Sequence, residues 1–178
     1  FLKLVEVIAE SYSVKEDAIA DDPKIVVLVG PSGSGKSKIA TKFLEKAKEA
    51  DGFVFGSPVH FAAASGTLTS FLDRVFYGRG KLFSGKAYAS VVSCRRGGAT
   101  AAFDQINKYA LMSNMYVVGS SYWNQIHGTN KEEAAKDLEG LQTMRNLGKN
   151  MAFLLKSIKQ ANLEKPELEN SIKTNFIH

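Results

Sequence analysis

Apolar positions along the chain alternate between two periods, and the alternation repeats. Residues 24–29, KIVVLV, follow Pro23 as an unbroken β-branched run, the pattern of a strand buried on both faces of a sheet. From Lys38 to Ala50, Ile39, Ala40, Phe43, Leu44 and Ala47 recur at helical spacing, and Asp51-Gly52 supplies a stop. The unit then recurs twice. FVFGS at 53–57 predicts a strand and Gly66 to Phe76 a helix with Leu68, Phe71, Leu72 and Val75 on one face. AYASVVS at 87–93 predicts the next strand, and Ala102, Phe103, Ile106 and Tyr109 the next helix. A fourth strand over 115–120, MYVVGS, leads through the loop SYWNQIHGTN to one long helix from about Lys131 to Ala161, in spite of Gly140 and Gly148.

Strand, loop and helix in alternation predict an α/β fold with helices on both faces of a parallel sheet, three layers in all. The first 22 residues are ambiguous, since LKLVEVIA fits either period; it is read as an edge strand. Ser13 with Glu16 has the spacing of a capping box, which predicts a short helix over Val14 to Ala20. The five strands then take the spatial order 2-1-3-4-5 of a doubly wound, flavodoxin-like sheet, in one domain spanning 1–178. In such sheets ligands sit beyond the carboxyl ends of the strands, at the switch point beside the first central strand.

Composition narrows the chemistry. A content of 44% hydrophobic and 23% charged residues is that of a globular domain, and no apolar run approaches the roughly 20 residues of a membrane span. Phe1 to Glu6 carries neither a basic leader nor a small-residue cleavage site, which predicts a cytoplasmic protein. The formal charge of +5 is spread along the chain without an aromatic-and-basic motif, so no nucleic-acid partner is expected. Cys94 is the single cysteine, too few thiols for a disulfide, an iron–sulfur cluster or a structural zinc. Redox chemistry here needs an organic cofactor.

Gly30 to Ser37, GPSGSGKS, satisfies the phosphate-loop pattern between a predicted strand and a predicted helix. Backbone N–H groups around Ser32, Gly33, Ser34 and Gly35 can wrap an anion, and Lys36 and Ser37 add a charge and a hydroxyl at the helix N-terminus. A nucleotide hydrolase also needs a carboxylate at the end of a neighbouring strand to hold its metal. FVFGSP and ASVVSC carry none there, and Asp51 precedes its strand, on the other edge.

From about Phe43 to His178 the sequence resembles the NADPH-dependent FMN reductase family of the flavodoxin-like superfamily. The resemblance rests on ADGFVFGSPVHFAAASGTLTSFLDRVFY (50–77), FSGKAYASVVSCRRGGATAAFDQINKY (83–109), SSYWNQIHG (120–128) and the closing KTNFIH. It implies that Ser57, Pro58, Val59, His60 and Phe61 lie along the isoalloxazine of FMN. It also implies that Ser93, Cys94, Arg95, Arg96, Gly97 and Gly98 border its polar edge. Further implications are NAD(P)H as electron donor, a small-molecule acceptor, a homodimer, and FMN phosphate in the loop where GPSGSGKS stands. No side-chain acid is required, because the flavin carries the reaction. Trp123 and His127 are candidates to approach a flavin across the dimer.

About the first 42 residues depart from the family, which opens with an NGSPR-type loop and often a cysteine-rich segment. The change near Lys42–Lys46 suggests a chimera of a phosphate-loop segment (1–42) with a reductase-like remainder (43–178), natural or engineered. Two rival readings follow: a phosphate-loop binder of ATP or GTP, and a chimeric scaffold without turnover.

Overall fold

A computed structural model of the chain describes residues 23–29, 36–170, 172–174 and 176. The predicted N-terminal strand, the Val14–Ala20 helix and the loop residues Ser32, Gly33, Ser34 and Gly35 lie outside the described residues. The elements are β1 (Ile25–Val29), α1 (Lys36–Glu49), β2 (Gly52–His60), β3 (Ala63–Ala64), α2 (Gly66–Arg79), a 3₁₀ turn (Gly80–Phe83), β4 (Ala87–Cys94), α3 (Ala99–Met112), β5 (Tyr116–Val117), β6 (Gln125–His127), α4 (Lys131–Ala134) and α5 (Leu138–Ala161). The main sheet runs β1-β2-β4-β5 with every pair parallel, and β6 joins β4 farther along the same edge.

Each strand lies beside the one before it, always on the same side. The right-handed rule for parallel crossovers therefore puts all the connecting helices on one face. Phe43 and Ala47 of α1, Leu68, Leu72, Val75 and Phe76 of α2, and Ala102 and Ile106 of α3 indeed share one core with Phe53, Phe55, Tyr88 and Val92. The other face is covered by α5, whose Met144, Leu147, Met151 and Leu155 pack on Val54, Ala87, Ala89 and Val91. The period of two along β2 and β4 sorts these side chains between faces. Small residues on the α5 face let the helix lie close: a Cβ on Gly52 would stand 3.2 Å from Met151 Cε.

β2 is buried from Gly52 to Ser57, whereas β1 is half-buried, with β2 its described neighbour. The reversal of winding that the 2-1-3-4-5 order requires would fall on the N-terminal strand, outside the described residues. Two predicted elements are corrected. The strand over 115–120 is split: Tyr116–Val117 pairs with Ala87–Tyr88, the chain leaves the sheet, and Gln125–His127 returns to pair with Val92–Cys94. The helix over 131–161 is broken at residues 135–137, because Asp137 caps a new helix by accepting the Gly140 N–H at 2.9 Å. Among the described residues no helix is long and apolar enough to cross a membrane.

The α1–α3 face is an aromatic cluster. Phe83 is fully buried, with ring centroids 4.6 Å from Phe76, 5.1 Å from Phe53 and 6.1 Å from Phe43. Tyr88 threads the same core and spends its hydroxyl on the Ile106 carbonyl at 3.0 Å. Phe83→Ala is expected to destabilise the chain by about 3–5 kcal/mol, read as a lowered midpoint in chemical denaturation with secondary structure retained below it.

Candidate functional site

The carboxyl ends of β1, β2, β4 and β6 share one edge of the sheet. At β2 the predicted loop Ser57–Phe61 is mostly strand: pairing continues to His60, then a two-residue turn returns the chain as β3, with Val59 opposite Ala64 and His60 opposite Ala63. The turn residues Phe61 and Ala62 have φ of 50° and 57°. Two successive left-handed residues make the type I′ geometry that suits hairpins and favours Asn-Gly. Phe-Ala in that place is strained by roughly 1–2 kcal/mol per residue, and strain of this kind concentrates at ligand sites.

Three contacts hold the hairpin from behind. Ser57, fully buried, donates its hydroxyl to the Pro58 carbonyl at 2.8 Å and accepts the Ser65 N–H at 2.8 Å. Ala64 N–H donates to Gln105 Oε1 of α3 at 2.9 Å. The third contact is Gly98, at φ 87°, where a Cβ would stand 2.7 Å from Ala62 Cα and 3.2 Å from Val59 Cγ1. The turn after β2 and the loop after β4 thus interlock at a position only glycine can fill. Phe61 is fully exposed at the tip, and His60 beside it is exposed.

At the end of β4, Ser93 is half-buried and Cys94 is buried, and beyond it Arg95, Arg96 and Gly97 are exposed. Burial pushes the Cys94 thiol up, partly opposed by the Arg96 N–H bonded to it, with the Asp137 charge adding a further push. A thiol of that kind is a weak nucleophile, in keeping with a packing role. Cys94 is the register partner of His127 on β6, and its carbonyl accepts the Gly128 N–H at 3.0 Å.

Asp137 organises the far side of the edge. Its Oδ2 accepts the His127 N–H at 2.7 Å and lies 3.6 Å from His127 Nδ1, while Oδ1 caps α5. A Cβ on Gly140 would meet Asp137 Oδ2 at 2.5 Å, so this glycine, a mere weakness by helix propensity, is a close-approach residue. In front of α4, Asn130 accepts the Glu133 N–H at 2.9 Å and Glu133 accepts the Thr129 N–H at 2.7 Å. The backbone and side chain of Thr129, and then Arg95, hold the Glu133 carboxyl below its ordinary range. Asp137, Gln105 and Glu133 are missing from the sequence-derived site. The Asn130-x-x-Glu133 spacing of a capping box and an aspartate before Leu138 were the available signals for two of them; Gln105 has none.

The rings of Trp123 and Tyr122 meet tilted, 4.6 Å between centroids and half-exposed, on the excursion between β5 and β6. Buried Asn124 secures that excursion, donating to the Ser90 carbonyl at 3.0 Å and accepting the Ser120 hydroxyl at 2.6 Å. Lys36 and Ser37 open α1 at the end of the chain's passage from β1. The structure therefore gathers Ser57–Phe61 and Ser93–Gly98 into one interlocked rim and places His127 and Asp137 beside it.

A family described as NADPH-dependent FMN reductase matches residues 5–130. The chain belongs to this family. The match begins well before Phe43, where the resemblance was expected to start, and runs through the glycine-rich loop and Lys42–Lys46, where a junction was expected. The N-terminal quarter is thus part of the reductase-family match, and the expected chimera finds no support. An iron–sulfur flavoprotein of Methanocaldococcus jannaschii is 37% identical over 130 residues, covering 67% of this chain and 66% of the relative, so the chain spans just under two thirds of that protein.

Among solved structures, the reductase-family chain is similar to a WrbA-like flavodoxin from Agrobacterium tumefaciens (15% identity, 77% of this chain and 99% of the other, TM-score 0.56). It is also similar to the Trp repressor binding protein of Bacillus subtilis (17%, 70% and 97%, 0.58) and to an archaeal flavodoxin (20%, 75% and 99%, 0.53). At these identities they establish the α/β flavodoxin-like fold.

Gly98→Ala is expected to force the turn and loop apart and to lower stability by at least about 1–3 kcal/mol. Ala62→Gly acts in the opposite sense, raising it by about 0.5–1 kcal/mol as left-handed strain is relieved. Equilibrium denaturation of the two variants checks both signs.

Proposed function

We propose that the chain is an FMN-binding, NAD(P)H-dependent flavin oxidoreductase whose ring site is the rim formed by Ser57–Phe61 and Ser93–Gly98. The observation that carries this reading is the interlock of Ala62 with Gly98: a strained turn and a left-handed glycine are held together at the carboxyl edge, where sheets of this kind take their ligands. Family membership supports FMN as the group and a reduced nicotinamide dinucleotide as the donor.

The residues suit such a group. Gly97 has open space around it, the exposed Arg95 and Arg96 flank it, and the backbone of the turn stands clear of the core. FMN, when bound, supplies hydride acceptance at its ring. The chain's part is to bind, orient and balance charge. The glycine-rich loop, with Lys36 and Ser37 at the start of α1, would take the phosphate, combining backbone N–H groups with the positive end of a helix. The arginines and the N–H groups of 96–98 would face negative charge gathered at the ring's polar edge. Arg95 has Glu133 as an opposing charge. The same reading includes a small-molecule acceptor, a homodimer and a cytoplasmic setting.

Titration of FMN and riboflavin into the parent chain and Lys36→Ala tests the phosphate assignment. FMN should weaken by about ten- to a hundredfold, corresponding to roughly 1.5–3 kcal/mol for a charge-assisted hydrogen bond, while riboflavin is barely affected. Equal losses for both ligands, or none, would detach the loop from the flavin and favour a separate nucleotide. Pro58→Asp should weaken both flavins, as read by flavin fluorescence quenching; unchanged affinity would place the ring elsewhere.

A further inference from the structure

At the opposite edge of the sheet, below the starts of β1, β2 and β4, lies a cleft of about 180 Å³. Asp51, Lys86, Lys159 and Lys165 line it, with Leu155 and Ile158 of α5 forming an apolar wall. Three lysines thus share its lining with one carboxylate. That carboxylate already accepts the Lys24 N–H at 2.8 Å, and Glu49 at the end of α1 pairs with Lys24 at 3.5 Å.

Lys86 and Lys165 are placed by specific contacts. Lys86 Nζ donates to the Ala47 carbonyl at 2.6 Å and the Lys48 carbonyl at 3.4 Å, closing the last turn of α1, and an ammonium has a third N–H to give. The stem of Lys165, in the tail beyond α5, lies in the space a Cβ on Gly85 would fill, with Cδ 3.1 Å and Nζ 3.7 Å from that point. Gly85 is at φ 69°, so glycine is required there twice over. Burial, and then the charge of Lys165, hold Lys86 below the ordinary lysine range against the pull of Asp51. The tail therefore brings a second cation to one that is already partly desolvated, an unfavourable pairing that an anion between them would reverse.

We propose that this cleft binds a small phosphate-class anion, a monophosphate or diphosphate group, through Lys86, Lys159 and Lys165. The apolar wall of Leu155 and Ile158 would face the body of a phosphorylated metabolite. Bound there, the anion would link the tail to α5 and to the start of β4, far from the carboxyl edge. The competing account is that the lysines only balance the negative C-terminal ends of α1 and α5. That account predicts no saturable uptake of an anion.

The test is a titration of the full chain, without added flavin, with inorganic pyrophosphate at constant ionic strength, following the amide resonances of Gly85, Lys86 and Ile158. Saturable shifts are expected at these three. Lys165→Glu and Lys159→Glu should each weaken the apparent affinity about three- to thirtyfold. Lys149→Glu, the same charge change on the exposed part of α5, should alter it less than about twofold. Lys165 lies in the tail, so its reversal leaves the core intact. Absence of saturable shifts in the parent, or equal weakening by Lys149→Glu, would overturn the proposal. Because Lys165 belongs to no part of the carboxyl rim, this outcome is independent of whether FMN binds there.

Discussion

The parallel ladder between β2 and β4 is the constraint on which the remaining structure depends. It runs in register from Gly52 opposite Ala87 to Pro58 opposite Ser93, and almost every residue in it is buried. A one-residue slip would exchange the faces of one strand relative to the other; for β2 it would set Phe53 and Phe55 against the close-packed α5 and Val54 against the aromatic cluster. Fixing the register also fixes height. The strand-end segments after Pro58 and Ser93 leave the sheet level with each other, which is why the turn comes so close to Gly98 that a Cβ there would stand 2.7 Å from Ala62 Cα.

That meeting has an energetic logic. A type I′ turn built from Phe-Ala is locally unfavourable, and it is sustained by Ser57 and Gln105 behind it and Gly98 beneath it. The burden falls on buried groups with few alternatives, since the Ser57 hydroxyl has no access to water. The rim is therefore preorganised. A ligand taken up there, as proposed, would meet an aromatic ring and exposed backbone already in place, which reduces the ordering cost of binding.

Much of this was legible in the sequence for a physical reason. Buried parallel strands write themselves as continuous β-branched and aromatic runs, so KIVVLV, FVFGS and AYASVVS give β1, β2 and β4, and helical spacing gives α1, α2 and α3. Short or solvated elements write weakly. The split between β5 and β6 depends on Asn124 replacing ladder bonds, and the break before α5 on one aspartate overriding a helical apolar pattern that continues across it. For the proposed site, residue types at strand ends pointed to Ser57–Phe61 and Ser93–Gly98, two segments that the structure brings together. That Ser57 braces the loop from within, or that Gln105 reaches it from α3, depends on distances no spacing encodes. The supposed junction near Lys42 arose because a glycine-rich loop common to many phosphate binders says little about ancestry.

The excursion between β5 and β6 has a consequence for the protein's behaviour in crowded solution. A long flat outer strand offers a row of unpaired N–H and C=O groups on which a foreign strand can assemble, the first step of sheet extension and fibril growth. Here that margin is two residues, then a knuckle carrying Tyr122 and Trp123 and tied to α5 through Asn146 and Asn150, then three residues more. Neither stretch is long enough to template a stable partner strand. The interruption thus guards this side of the sheet against runaway self-association.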